Sequence, residues 1–193
     1  MHEYMHGRAA DFFGDKTARN AGRLTLNPVP HIDPFGTILL PLALLLISGG
    51  SWAFGYAKPV PVNPNFMRKP RDMVWVSIAG PATNFAVAGV FTAFGAILNA
   101  YGVRSIELYR LIFIVAEINI ILGVFNLIPI PPLDGSHIVA HFLKGSTRAR
   151  FESFGRYGFI LIFGLFILAG NWFISLLNPL FRLVASAMGL SLG

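Results

Sequence analysis

Three runs of this chain, residues 73–101, 108–130 and 158–181, are apolar over lengths that can cross a bilayer. A hydrocarbon core of about 30 Å takes roughly 20 residues of helix. Because no water there can satisfy exposed peptide groups, a chain crossing it must be helical or form a closed barrel. The runs are continuous rather than alternating, which selects helices. Composition agrees, since 54% of the 193 residues are hydrophobic and only 12% are charged. Mean hydropathy is +0.63. The sequence therefore predicts an all-α integral membrane protein, one membrane-embedded body over residues 1–193 with three full transmembrane helices.

Proline divides the rest of the chain. Residues 1–13 can be helical. Residues 14–34 are expected to be irregular, because Pro28, Pro30 and Pro34 remove donors and disfavour helix in the residues before them. Residues 35–50 are apolar but short, with Pro41 inside and Gly49-Gly50 at the end. That length suits a re-entrant hairpin better than a full span.

Charge sets the expected orientation. The segments 58–72 and 144–156 each net +3, whereas Arg104 is offset by Glu107 in the connection between the first two spans. The loops 56–72 and 144–156 therefore read as cytoplasmic, and the two spans between them return the chain to the same side. The net charge of +6 lies in these short loops, with no aromatic-interleaved basic face, so nucleic acid is not an expected partner. No cleavable signal peptide is visible after Met1. With no cysteine, any zinc site must use histidine and carboxylate ligands.

His2-Glu3-Tyr4-Met5-His6 matches H-E-x-x-H. On a helix, positions i and i+4 share a face, so both imidazoles can reach one zinc ion. Glu3 flanks that face and can hold a water and take its proton. Such matches also occur without metal, and a catalytic site needs a third protein ligand. The longer metzincin pattern fails, because Ala9 and Phe12 stand where its glycine and third histidine would be. Ionisable residues at membrane depth are rare and usually functional, which leaves Glu117 and Asp134. Glu117 is mid-span, where a hydrogen-bonded acid inside the bundle is its ordinary role. Asp134 follows a proline-broken helix end, a geometry tolerated only against protein or a wet cavity, and this favours it as a ligand. Its ordinary role would be helix capping.

The H-E-x-x-H motif together with Asn126-Leu127-Ile128-Pro129-Ile130-Pro131-Pro132-Leu133-Asp134-Gly135 resembles the two signatures of the site-2 protease family. Gly80-Pro81-Ala82-Thr83-Asn84 is similar to that family's intervening G-P-x-x-N helix. The resemblance covers residues 1 to about 143. It implies an intramembrane zinc endopeptidase with His2, His6 and Asp134 as Zn2+ ligands and Glu3 as general base. It also implies that Asn126 and Pro132 hold substrate near the metal, Asn126 as an oxyanion or backbone-carbonyl partner. The substrate would be a transmembrane segment of another membrane protein, unwound locally because a helix hides its carbonyls in i→i−4 bonds. Residues 24–33 are a candidate edge for pairing with that extended substrate. The expected location is the plasma membrane of a prokaryote. Family members carry the first half of the zinc helix upstream of the motif, so a chain starting at Met1 is expected to be a shortened form, and the alternative to an active protease is that this form binds zinc poorly and is inactive.

Other residues have plainer readings. His31 fits a turn better than a fourth ligand, and His137, one helical turn after Asp134, fits a supporting or exposed position. Trp52, Trp75 and Trp172 read as interfacial or packing aromatics. Gly49, Gly50, Gly80, Gly89 and Gly95 read as bends or close helix contacts. Two rival functions stand beside the protease: a catalytically silent relative that binds membrane helices, and a small transporter using Glu117 and the asparagines as a polar path.

Overall fold

The computed structural model describes residues 1–50, 53 and 55–190, and every regular element among them is helical. Trp52 lies outside the described residues. The eight α-helices are α1 (His2–Phe12), α2 (Thr17–Asn20), α3 (Leu40–Ile47), α4 (Asp72–Ala100), α5 (Ile106–Asn126), α6 (Asp134–Phe142), α7 (Gly145–Ser153) and α8 (Gly155–Ala187). Three stretches are long and apolar enough to cross a membrane: α4, α5 and Leu168–Ala187 of α8. The all-helical membrane architecture expected from the sequence is present. The chain divides into two compact units, Met1–Val76 and Ser77–Gly193.

In the first unit, small residues let α1 and α2 pack closely. Ala10 and Ala18 are fully buried. A Cβ on Gly7 would lie 3.2–3.3 Å from Leu24, Val60 and Ala18. The fully buried Asp15 ties three pieces together. Its carboxylate accepts from Thr17 N–H at 2.9 Å, from the Thr17 hydroxyl, and from Asn63 N–H at 2.6 Å. Residues 14–34 are less irregular than expected, because they include α2 and a 3-10 turn at Val29–His31. That turn leaves no continuous strand edge over 24–33. His31 sits in it with Nε2 3.1 Å from Thr25 O, in keeping with a turn role.

The apolar segment 35–50 is helical over Pro34–Ile47 and ends in a turn. Asp33 Oδ1 accepts from Phe35 and Gly36 N–H at 3.0 and 2.7 Å, which starts a π-helical turn over Pro34–Leu39 that continues into α3. The 14 residues Pro34–Ile47 rise only about 21 Å as helix, short of a full span. Gly49 and Gly50 then take φ of +63° and +82°, a region open to glycine because it has no Cβ. The chain comes back to its own start: Tyr56 N–H donates to Gly36 O at 3.0 Å, and the Thr37 hydroxyl donates to Tyr56 O at 2.8 Å.

In the second unit, α5 buries Tyr109, Ile112, Ala116 and Ile120, and α8 buries Leu177, Phe181 and Val184, with Met188 just beyond its end. Both series step by three or four residues, so each is one stripe along its helix, and the two stripes form one core with Ala88 of α4. Glycines bring α4 into it. A Cβ on Gly123 would lie 2.9 Å from Phe85, and one on Gly95 would lie 2.8 Å from Met188. The third apolar helix extends beyond the expected 158–181 at both ends, passing through Pro179, while α5 stops at Asn126 rather than 130. The difference follows from proline number. One proline costs a helix one bond, whereas Pro129, Pro131 and Pro132 within four residues leave no run of donors to continue it.

Two stability tests follow. Asp15→Ala strands three donors, and it is expected to cost roughly 2–4 kcal/mol and lower the unfolding midpoint in detergent by tryptophan fluorescence; an unchanged midpoint would refute the anchoring role. Gly135→Ala, whose Cβ would lie 2.2 Å from Leu127 O, is expected to lower the midpoint strongly. Gly89→Ala, with nothing within 4 Å of the added carbon, should leave it unchanged or raise it.

Candidate metal centre

The H-E-x-x-H motif lies on the first turns of α1, as its spacing predicts. His2 Nε2 and His6 Nε2 are 2.9 Å apart. Two nitrogens bound at 2.0–2.1 Å to one tetrahedral zinc stand about 3.3 Å apart. The pair therefore needs only a few tenths of an ångström of movement to share a metal. His6 is buried, and its Nδ1 is 2.7 Å from Val76 O in the first turns of α4. A carbonyl only accepts, so Nδ1 carries the hydrogen and Nε2 presents its lone pair. This is the usual orienting contact of a zinc-bound imidazole. The donor set fits zinc on this ground.

Glu3 does not point freely into solvent. Its Oε2 accepts from Val60 N–H at 2.8 Å. Val60 lies between Pro59 and Pro61, neither of which has an N–H, so its amide is the single donor of that tripeptide. Residues preceding proline are confined to extended backbone, which stiffens Lys58, Val60 and Asn63 together. The strip is anchored further. Arg23 Nη2 donates to Lys58 O at 2.8 Å and to Pro59 O at 3.3 Å, while Lys58 N–H donates to His31 O at 2.9 Å. Sequence reasoning missed Arg23 and Val60. The Pro-Val-Pro run marks a rigid extended strip with one donor, but its pairing with a residue 57 positions earlier is a tertiary fact.

Asn126, Pro132 and Asp134 occupy one turn of the second unit. After α5 the backbone tightens, with Leu127 N–H on Val124 O and Ile128 N–H on Phe125 O, both at 3.1 Å. The Pro131–Pro132 peptide is cis, and Leu133 N–H closes the turn on Ile130 O at 2.9 Å. Asp134 is the first residue of α6 and is half-buried. Gly135 lets α6 begin directly against the carbonyls of Leu127 and Ile128. Pro132 is exposed. Asn126 is half-buried, and its Nδ2 donates to Leu122 O at 2.9 Å. His137, on the same helix as Asp134, is exposed. Glu117 is half-buried in mid-α5, and Asn119 Nδ2 bonds Val115 O at 2.8 Å. In the G-P-x-x-N segment, α4 passes unbroken through a buried Pro81, and Asn84 is buried one turn on.

Comparison with known proteins places the chain in a family. The model of peptidase family M50 matches residues 102–170, which take in the turn carrying Asp134. The chain is 41% identical over 173 residues to YwhC of Bacillus subtilis (strain 168), covering 86% of this chain and 75% of that protein. It is 29% identical over 182 residues to Rip2 of Mycolicibacterium smegmatis, covering 91% and 66%, and 30% identical over 185 residues to Rip2 of Mycobacterium tuberculosis (strain H37Rv), covering 95% and 69%. All three are provisionally named zinc metalloproteases. No solved structure matches. Identity at this level across three quarters of a relative's length, reinforced by the family model, means that the chain belongs to peptidase family M50, the site-2 proteases.

Proposed function

We propose that this chain is the core of a zinc-dependent endopeptidase that cuts transmembrane segments of other membrane proteins. The observation that carries this reading is the His2–His6 pair, with its Nε2 atoms turned to each other and His6 fixed in tautomer by Val76 O. The family and the provisional names of its relatives support zinc as the metal. His2 and His6 supply two ligands, and Asp134 supplies the third.

Zinc, when bound, supplies a Lewis acid that polarises the scissile carbonyl and makes water a competent nucleophile near neutral pH. Glu3 takes the proton from the attacking water and returns it to the leaving amide nitrogen. The Val60 N–H on its Oε2 fixes the carboxylate's rotamer, so that the other oxygen is the one presented for proton transfer. One amide hydrogen of Asn126 is held by Leu122 O, which leaves its second N–H and its Oδ1 for the substrate backbone. Pro132 shapes the turn beside it. The substrate helix must lose i→i−4 bonds over about one turn before its carbonyl can be reached. The hairpin at Pro34–Tyr56 enters and leaves the membrane on one side. The loops 56–72 and 144–156 face the cytoplasm of a prokaryotic cell, the latter folded as α7 with Arg148 Nε 2.7 Å from Glu152 Oε1.

Two experiments test the reading. Glu3→Gln should lower cleavage of a model transmembrane substrate by about 10²–10⁴-fold while leaving bound zinc unchanged, whereas His6→Ala should remove both zinc and activity. Equal cleavage by wild type and Glu3→Gln would overturn the mechanism. For orientation, the absence of native cysteine permits single-cysteine labelling in intact cells. Lys69→Cys and Arg150→Cys are expected to be shielded from an impermeant maleimide and Tyr101→Cys to be labelled; the reverse pattern would invert the topology.

A further inference from the structure

Where α4 ends, α5 begins and α8 ends, the second unit forms an open cavity of about 650 Å³, with Arg104, Ile106 and Arg110 on its exposed rim. All three helices are of membrane length, so the cavity lies at the level of a bilayer surface. The contacts around it are close. A Cβ on Gly189 would lie 2.3 Å from the Asn99 amide, and Met188 is fully buried beneath it. The lining is mostly apolar, with Ile106, Tyr109, Phe113 and Met188 prominent. Two guanidinium groups, Arg104 and Arg110, join that lining.

Charge and apolar wall therefore meet at one end of the helices. Arg104 reaches Asn99 Oδ1 at 3.4 Å, and neither arginine makes an ion pair among the described residues. Glu107, the acid of the same turn, is exposed and does not line the cavity. Arg110 is the fifth residue of α5, about 6 Å along the axis from its start, where its exposed guanidinium reaches the headgroup level. The first-turn amides of α5 add positive potential at the same place. A free inorganic anion would satisfy the cations but leave the aromatic and aliphatic walls in water. An amphiphile with a charged head satisfies both.

We propose that this cavity binds an anionic phospholipid, its phosphodiester between Arg104 and Arg110 and its upper acyl chains along Ile106 and Phe113. The site is separate from the catalytic residues and does not depend on the protease assignment. Arginine suits this role because its planar donors grip phosphate bidentately.

The test uses the intact protein purified in neutral detergent and supplied with phosphatidylglycerol or phosphatidylcholine, with bound lipid read by native mass spectrometry. Wild type should retain one phosphatidylglycerol in preference to phosphatidylcholine, and excess inorganic phosphate should not displace it. The double change Arg104→Gln and Arg110→Gln should weaken that retention by roughly 30-fold. Arg104→Lys with Arg110→Lys should preserve most of it, which separates loss of charge from loss of fold. Changing Arg148 and Arg150 of α7 to Gln should leave it unaltered. Equal retention of both lipids, full retention by the double glutamine variant, loss only in the α7 variant, or displacement by inorganic phosphate would each overturn the proposal.

Discussion

Backbone hydrogen bonding in an apolar medium governs this protein. Each peptide group at membrane depth needs a partner inside the chain, because lipid offers none. Long helices meet that demand by themselves, so every interruption has to be built. The segment that follows Asp33 shows how. Asp33 caps its start, glycines at +63° and +82° turn it, and Tyr56 N–H closes on Gly36 O. The break after α5 is built differently, from a tightened helix end, a proline run with few donors to satisfy, and a glycine that seats α6 on the exposed carbonyls. Asp134 stands at that break, half-buried as the first residue of α6.

The helix carrying H-E-x-x-H follows the same economy on a smaller scale. His6 Nδ1 bonds Val76 O and Glu3 bonds Val60 N–H, so the groups that orient these side chains are main-chain atoms. Main-chain partners hold direction better than side chains because they have fewer rotatable bonds to freeze. The strip that carries Val60 is stiffened by prolines on both sides and fixed by Arg23, while Asp15 secures it at Asn63. Preorganisation of this kind matters where a misplacement of about 1 Å costs a large part of the rate.

In the second unit, association of α4, α5 and α8 cannot draw on the hydrophobic effect in lipid and depends on close packing. Gly95, Gly123 and Gly189 are among the positions at which an added Cβ would meet a neighbouring side chain, those of Met188, Phe85 and Asn99. An opening lies at the end where Arg104 and Arg110 stand. The tight stripe between α5 and α8 thus fixes both a rigid support for the α5–α6 turn and the wall of a surface-level cavity.

Helix period, apolar length and proline position are local properties. They gave the three spans, the short fourth segment and the placement of His2, Glu3 and His6 on one helix. Two residues four apart on a helix face the same way whatever surrounds them, which is why that pair could be read directly. The helical fold of the basic loop as α7 and the continuation of α8 through Pro179 were not legible, since each depends on surroundings that offset a weak local preference. The Val76 and Val60 partners were likewise hidden, because a backbone amide or carbonyl has the same identity in every residue and only folding selects one. The sequence by itself determined the three spans and the common helix of His2, Glu3 and His6. Tertiary structure alone decided which main-chain atoms aim them, because such contacts join positions 57 and 70 residues apart that no local pattern connects.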